Sequence, residues 1–416
     1  MKYGLIAVRL GHSFSREIHR AIGTFPYDFC ELPPEELPEF MRRRDFEAIN
    51  VTIPYKETVI PYLDHIDPLA ASIGVVNTVV NRNGFLYGYN TDIGGMTALV
   101  QRLGLSLEGA KALTLGSGGT GRTAYAVAKS LGAAVVQPVS RREGSGCITY
   151  RQAVEQHSDT AFILNGTPIG MLPHVEDCPL DVSCFPELRG VTDAIYNPLS
   201  SRLVRSARQR GVPAQGGLYM LVVQAILAAE HFKGTPVPRE LAEQIYRDLL
   251  CRHRNVVLIG MPGCGKSAVG REIARRMGRS FFDLDEEIRR MAGRTPEEII
   301  RSDGEEAFRD MEAQAVRELE PKNGAVIACG GGTVLRPENV DRLRANGTLL
   351  YLYRPLESLT PSARHPLSDT PEKLRQRYEE RESVYRAAAD VVVEAGSDWE
   401  KTAEQAIRLF EEGCTE

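Results

Sequence analysis

Val256-Val257-Leu258-Ile259-Gly260-Met261-Pro262-Gly263-Cys264-Gly265-Lys266-Ser267 decides the fold of the region around it. Four apolar residues read as a buried parallel strand, and they break into the spacing G-x-x-x-x-G-K-S. Behind the loop, Val269, Ile273, Ala274 and Met277 recur at helical spacing, so strand, glycine loop and helix follow in the order a phosphate-binding loop requires. Glycines let backbone N–H groups turn inward on a polyphosphate, Lys266 adds a point charge at the outer phosphates, and Ser267 offers a hydroxyl to Mg²⁺. The spacing therefore predicts a purine nucleotide triphosphate on Gly263, Cys264, Gly265, Lys266 and Ser267.

The rest of the chain is too long for that unit alone. Its 416 residues suggest two or three domains, and 43% hydrophobic with 25% charged residues is an ordinary globular composition. A formal charge of −5 argues against a general nucleic-acid binder. The longest nearly apolar run, Leu218 to Ala229, contains Gln224 and is too short to span a bilayer, so no membrane segment is expected. The N-terminus runs directly into the strand-like Tyr3 to Val8, without the layout of a signal peptide. Eight cysteines without C-x-x-C spacing fit reduced thiols in the cytoplasm.

Near the N-terminus, Ser13 and Ser15 follow the first strand, where open α/β sheets bind ligands. Taken alone they mean little, because serine is common at helix N-caps. Ala48–Ile53 is a strand running into Pro54-Tyr55-Lys56. Two further alternating runs, Val75–Val80 and Phe85–Tyr89, flank an Asn83-Gly84 dipeptide that predicts a hairpin. Lys56 and Asp92 at strand ends suit either a proton-transfer pair or two solvated charges.

Read together, His12-Ser13-Phe14-Ser15, Asn50-Val51-Thr52-Ile53-Pro54-Tyr55-Lys56, Val75-Val76-Asn77-Thr78 and Gly88-Tyr89-Asn90-Thr91-Asp92-Ile93-Gly94-Gly95 resemble the substrate domain of the shikimate dehydrogenases. The resemblance implies Ser13 and Ser15 on the substrate carboxylate and Thr52, Asn77 and Asp92 on ring hydroxyls. Lys56, beside Asp92, would be the catalytic lysine. Arg16 and Arg20 stand where the family pattern has Pro and Asn.

Ala112–Leu115 then leads into Gly116-Ser117-Gly118-Gly119-Thr120-Gly121 and an amphipathic helix, the dinucleotide fingerprint of a Rossmann unit. The next strand, Val135 to Val139, ends in Ser140-Arg141-Arg142 rather than Asp or Glu, which suits the 2′-phosphate of NADP. Asn165–Met171 resembles the family loop beside the nicotinamide. Asp193–Pro198 and Gly217–Ala225 resemble its following strand end and helix, which implies Tyr196 and Gln224 at the substrate and Gly217 at the cofactor.

After the phosphate loop, Ser280–Asp285 reads as a strand ending in two carboxylates directed to opposite sides. With Gly304–Glu312 and Ala328–Leu335, these segments resemble shikimate kinase over 255–416. Asp283 would then serve the metal side and Asp285 the attacking hydroxyl. Arg309 and Arg381 would hold the carboxylate, Gly330, Gly331 and Gly332 would lie against the ring, and Arg364 would reach the transferred phosphoryl. The segment between Leu356 and Arg364 is short for the family, and His365 interrupts its Arg-Pro-Leu.

The expected architecture is α/β throughout. It has a substrate domain at 1–95 completed by about 215–250, a Rossmann NADP-binding domain at 96–214, a junction at 251–254 and a P-loop domain at 255–416. The expected chemistry is reduction of 3-dehydroshikimate by NADPH, then phosphorylation of shikimate by ATP and Mg²⁺. The partners would be small molecules, with an oligomer compatible with the sequence.

Overall fold

The computed structural model describes residues 1–11, 13–23, 25–144, 146–360 and 370–414. They form two compact units, Met1–Tyr246 and Arg247–Glu416.

The first unit carries two six-stranded sheets. One is built from β1 (Tyr3–Ala7), β2 (Asp28–Glu31), β3 (Ala48–Val51), β4 (His65–Ile66), β5 (Thr78–Arg82) and β6 (Phe85–Tyr89), in the order β2-β1-β3-β5-β6-β4. Asn83 and Gly84 take φ of 55° and 87°, so the dipeptide turns β5 antiparallel onto β6 with Arg82 opposite Phe85. Positive φ at both central residues matches the twist of the flanking strands, which is why this dipeptide makes hairpins.

The second sheet contains β7 (Lys111–Leu115), β8 (Val135–Ser140), β9 (Ile148–Thr149), β10 (Phe162–Asn165), β11 (Gly190–Asp193) and β12 (Ala214–Gln215). Its order is β12-β11-β10-β7-β8-β9 and every pairing is parallel. The order reverses between β7 and β10, which places a crevice beyond their carboxyl ends at the start of helix Gly119–Ser130.

The second unit is one parallel sheet, β14-β15-β13-β16-β17, from β13 (Asn255–Ile259), β14 (Phe281–Asp283), β15 (Val326–Ala328), β16 (Gly347–Tyr353) and β17 (Val391–Glu394). Val256 to Ile259 are wholly buried at its centre, the pattern of a strand covered by helices on both faces. Each such side chain contributes about 1.5–3 kcal/mol of burial.

Two expectations change. The helix expected to close the first half runs further than expected, because helix Glu240–His253 includes residues 251–253 of the junction. The strand expected over 280–285 ends at Asp283, and Leu284–Ala292 is helix. Along a strand, positions 283 and 285 would point the same way. It is the strand-to-helix change between them that separates the two carboxylates. Among the described residues no helix is long and apolar enough to cross a membrane.

Candidate active sites

In the first unit the chemistry gathers at strand ends of both sheets. Ser15 is the first residue of helix Ser15–Ile22. Ser13 Oγ accepts from the Ser15 amide at 3.3 Å and lies 3.1 Å from Ser15 Oγ. Tyr196 hydrogen-bonds Ser13; burial raises its phenol pKa, and the bond to Ser13 opposes that shift. Its ring packs 5.4 Å from Phe14. Three hydroxyls thus sit together with no formal charge among them.

Lys56 Nζ donates to Asp92 Oδ2 at 2.6 Å, with side chains only 15% and 9% exposed. Asp92 opens helix Asp92–Gln101, so its carboxylate lies at the positive end of the helix dipole. The Val76 amide donates to the Lys56 carbonyl at 2.9 Å, which brings the Asn77 segment beside the lysine. Asn77 Oδ1 accepts from the Thr91 amide at 2.8 Å, and its Nδ2 donates to Thr91 Oγ1 at 3.0 Å and approaches Gln224 Oε1 at 3.5 Å. Gln224 donates to the Leu221 carbonyl at 2.8 Å. Thr52, just beyond β3, is tied through its amide to the Ile6 carbonyl at 3.2 Å.

Residues not singled out from sequence complete this site. Buried Asn50 donates to the Asn77 carbonyl at 3.3 Å and to Thr78 Oγ1 at 3.1 Å, and Thr91 holds both ends of the Asn77 amide. Their signal was weak because each sits inside a strand or motif whose neighbours carried the resemblance.

The dinucleotide loop lies alongside. Gly116 has φ of 105°, and a Cβ at Gly121 would come within 2.0 Å of the Gly116 carbonyl oxygen. Only glycine lets the helix start so close to the strand end. At Gly118 there is open space, whereas a Cβ at Gly119 would stand 3.3 Å from Val75 and 4.0 Å from Lys56 Cδ. The loop Gly116-Ser117-Gly118-Gly119-Thr120-Gly121 therefore faces Lys56, and the helix N-terminus behind it is of the kind that meets a pyrophosphate. Arg141 and Arg142 are exposed beyond β8, and Ser140 Oγ donates to the Arg142 carbonyl. Two guanidinium groups at this strand end suit a 2′-phosphate.

Gly217 caps helix Leu218–Lys233, and a Cβ there would lie 2.2 Å from the Ala194 carbonyl oxygen. Asp193, fully buried, is pushed up to about 6 by burial, against hydrogen bonds from Ser201, the Ile195 amide and Asn165. Through Asn165 Nδ2, at 2.9 Å, it anchors the start of the Gly166-Thr167 loop.

In the second unit the loop glycines Gly260, Gly263 and Gly265 have φ of 145°, 80° and 99°, a backbone closed to side chains. Lys266 Nζ donates to the carbonyls of Gly260 at 2.8 Å and Met261 at 3.0 Å, folding over the loop it serves. Cys264 is buried beneath it. Ser267 Oγ donates to Asp283 Oδ2 at 2.6 Å, so a hydroxyl and a carboxylate converge where the loop predicts a divalent cation.

Asp285 lies in the first turn of helix Leu284–Ala292, its amide donating to Asp283 Oδ1 at 3.1 Å. Burial pushes its carboxyl up to about 6; repulsion from Asp283 and Glu312 adds to this, and Lys266 and Arg309 work against it. Arg309 donates to Glu312 Oε2 and Glu305 Oε1, each at 2.9 Å. Glu312, wholly buried, also accepts from Thr333 Oγ1 at 2.6 Å. Glu312 was missed from sequence, although its i,i+3 spacing from Arg309 on one helix pointed to it.

Arg381 Nη1 donates to the Gly331 carbonyl at 3.0 Å, and Tyr385 Oη donates to the same atom. A Cβ at Gly332 would lie 2.2 Å from Arg309 Nη1, and one at Gly330 3.4 Å from Asp285 Oδ1. At Gly331 it would meet Pro262 of the phosphate loop at 2.8 Å. The glycine run is thus packed between both guanidinium groups, Asp285 and the nucleotide loop. Arg364 lies outside the described residues.

Comparison with known proteins finds a different family in each half of the chain. The family model for the shikimate dehydrogenase substrate binding domain matches residues 5–79, and that for shikimate kinase matches residues 262–411. A shikimate dehydrogenase (NADP(+)) of Clostridium perfringens is 31% identical over 267 residues, covering 60% of this chain and 98% of that protein. The crystal structure of shikimate dehydrogenase 1 from Peptoclostridium difficile matches with 32% identity and a TM-score of 0.56, over 60% of this chain and 98% of that one. The Thermus thermophilus shikimate 5-dehydrogenase, solved in complex with NADP(H) and shikimate, matches at 29% identity and a TM-score of 0.54, over 60% and 99%.

Proposed function

We infer the function from one premise: over its N-terminal 60% this chain belongs to the NADP-dependent shikimate dehydrogenase family, and it carries a shikimate kinase domain behind it. It is a bifunctional shikimate-pathway enzyme, an oxidoreductase joined to a phosphotransferase. Residues 1–95 with 215–250 serve the substrate of the first reaction, 96–214 its cofactor, and 255–416 the second reaction. It works in the reducing cytoplasm on small molecules.

In the first site Ser13, Ser15 and Tyr196 hold the carboxylate of 3-dehydroshikimate, while Thr52, Asn77 and Gln224 orient its ring hydroxyls. The Gly116–Gly121 loop would hold NADPH, with Ser140, Arg141 and Arg142 at its 2′-phosphate and Gly217 nearby, and the bound cofactor would supply the hydride for the carbonyl carbon. Lys56 gives its proton to the carbonyl oxygen, and Asp92 keeps the ammonium aimed. The close approach of Gly119 to Lys56 supports this order of groups across the crevice.

In the second site Arg309 and Arg381 hold the carboxylate of shikimate against Gly330, Gly331 and Gly332. Asp285 takes the proton of the 3-hydroxyl as it attacks the γ-phosphoryl of ATP. Mg²⁺ held by Ser267 and Asp283 would supply positive charge to the phosphate oxygens. Lys266, released from its loop carbonyls, adds to that charge, as Arg364 does by its position in the sequence.

The observation that carries the reading is the Lys56–Asp92 pair, 2.6 Å apart and shielded from water beside the dinucleotide loop. The test is mass spectrometry of products after mixing the chain with 3-dehydroshikimate, NADPH, ATP and Mg²⁺. A monophosphate of the reduced acid is expected. Reduction without phosphorylation, or the reverse, sinks half of the reading.

A further inference from the structure

Cys251 and Cys414 stand near the two ends of the second unit, outside both sites described above. Cys251 lies in the last turn of helix Glu240–His253, and Cys414 follows helix Trp399–Glu412. The two segments are pinned together. Arg254 Nη1, three residues beyond Cys251, donates to the Gly413 carbonyl at 3.1 Å. Arg279 donates to the carbonyls of Cys251 at 2.6 Å and Arg254 at 2.8 Å, and its guanidinium lies 5.0 Å over Phe410 of the last helix. Between backbones fixed in this way, the Cys414 thiol donates to the Cys251 sulfur. Both are free thiols, packed against one apolar core.

The two sulfurs are not equivalent. Cys251 is only half-buried and lines a cleft of about 1020 Å³ with Asp248, Arg276, Arg279 and Glu411, which gives a small solute access to it. Cys414 is 3% exposed and sits behind it. The bond from Cys414 lowers the Cys251 pKa, Arg279 and Arg254 act in the same direction, and burial and Glu411 oppose them. Elsewhere burial raises the thiols of Cys30, Cys178 and Cys329. An accessible sulfur inclined to thiolate, backed by a buried thiol, is the arrangement of an attacking and a resolving cysteine.

We propose that Cys251 and Cys414 are an oxidisable pair, which hydrogen peroxide converts into a disulfide that closes the kinase unit end to end. The Cys251 thiolate attacks one peroxide oxygen. An S–O bond forms as the O–O bond breaks, and the leaving hydroxide takes up the proton that Cys251 gave to solvent. The Cys414 sulfur then attacks the sulfur of that sulfenic acid. The S–S bond forms, the S–O bond breaks, and the Cys414 proton leaves with the second oxygen as water. The two sulfurs lose two electrons and the peroxide gains them. Because β13 begins after Cys251 and the last helix ends before Cys414, the cross-link encloses the whole phosphate-binding sheet and restricts the unfolded unit far more than the folded one.

The test treats the reduced full chain with near-stoichiometric hydrogen peroxide, then alkylates it and maps its peptides without reduction. A linked peptide joining Cys251 and Cys414 is expected, lighter by two hydrogens and reopened by dithiothreitol. Thermal unfolding of the second unit should rise by roughly 5–10 °C in the oxidised chain and return on reduction. In Cys414→Ser, dimedone should label Cys251 as its sulfenic acid. In Cys251→Ser, the buried Cys414 should be oxidised about tenfold more slowly than in the unaltered chain. Absence of the linked peptide, an unfolding temperature unmoved by it, no dimedone label on Cys251, or Cys414 consumed as fast without Cys251 as with it overturns the proposal.

Discussion

In the dehydrogenase unit the groups proposed for the substrate carboxylate are the neutral hydroxyls of Ser13, Ser15 and Tyr196, and charge enters only as the Lys56–Asp92 pair. In the kinase unit the same carboxylate is proposed to meet Arg309 and Arg381, and the proton-handling group is Asp285, crowded by Asp283 and Glu312. The chemistry accounts for the difference. A carbonyl reduction needs one proton at one oxygen, which a tight ion pair can aim. Phosphoryl transfer brings several negative charges to one place, so the pocket must be cationic enough to admit the acid beside the nucleotide. Burial, with Asp283 and Glu312 adding to it, raises Asp285 to about 6, near the pH at which a general base works best.

The strongest way to break the comparison is to remove the proton carriers one at a time. Lys56→Ala should slow reduction by roughly 10²- to 10⁴-fold and leave phosphorylation of added shikimate intact, with Asp285→Asn doing the converse on a similar scale. If either variant impaired both reactions in separate steady-state assays, the division of labour would be wrong. ATP binding should survive in Asp285→Asn, measured by calorimetry, because Lys266 and the loop are untouched.

Arg309→Met tests the cationic side more severely than its substrate role alone. It leaves Glu312, wholly buried, with an uncompensated charge, a loss of about 3–5 kcal/mol for breaking one side of a buried pair. Thermal unfolding of the second unit should move down accordingly, while the dehydrogenase transition stays in place. Arg381→Met keeps that pair and should instead raise KM for shikimate by roughly 10- to 100-fold, the value of a hydrogen bond to a charged group.

The neutral cradle should yield more gently. Ser13→Ala is expected to raise KM of the reductase by only about 2- to 10-fold. A Ser13 effect as large as that of Arg381 would erase the contrast. Arg141→Asp should narrow or reverse the preference for NADPH over NADH by about tenfold, and equal losses with both cofactors would mark Arg141 as structural. The smallest effect is on acidity. The kinase needs Asp285 as carboxylate, which exists above its pKa of about 6, so kcat/KM should fall as pH drops through 6. A profile flat from pH 5 to 7 would remove Asp285 from the proton transfer.

How much of this was legible depends on how local each feature is. The phosphate loop, the Asn83-Gly84 hairpin and the dinucleotide loop announce themselves because their glycine geometry is set within a few residues. Asp283 and Asp285 were located but misread: the turn from strand to helix at Leu284 depends on what packs around it, not on the alternation of the run.

By itself the sequence determined the α/β class and both nucleotide loops, since these follow from short-range backbone preference and periodicity, while the residues for each reaction were implied by resemblance to two families. Only the tertiary structure decided which groups are charged and paired. Glu312 is buried against Arg309 and Thr333, Asn50 holds Asn77 across 27 positions, and Asp193 loses water altogether. The physical reason is that burial and long-range partners set the cost of a charge, and neither is written in the neighbours along the chain.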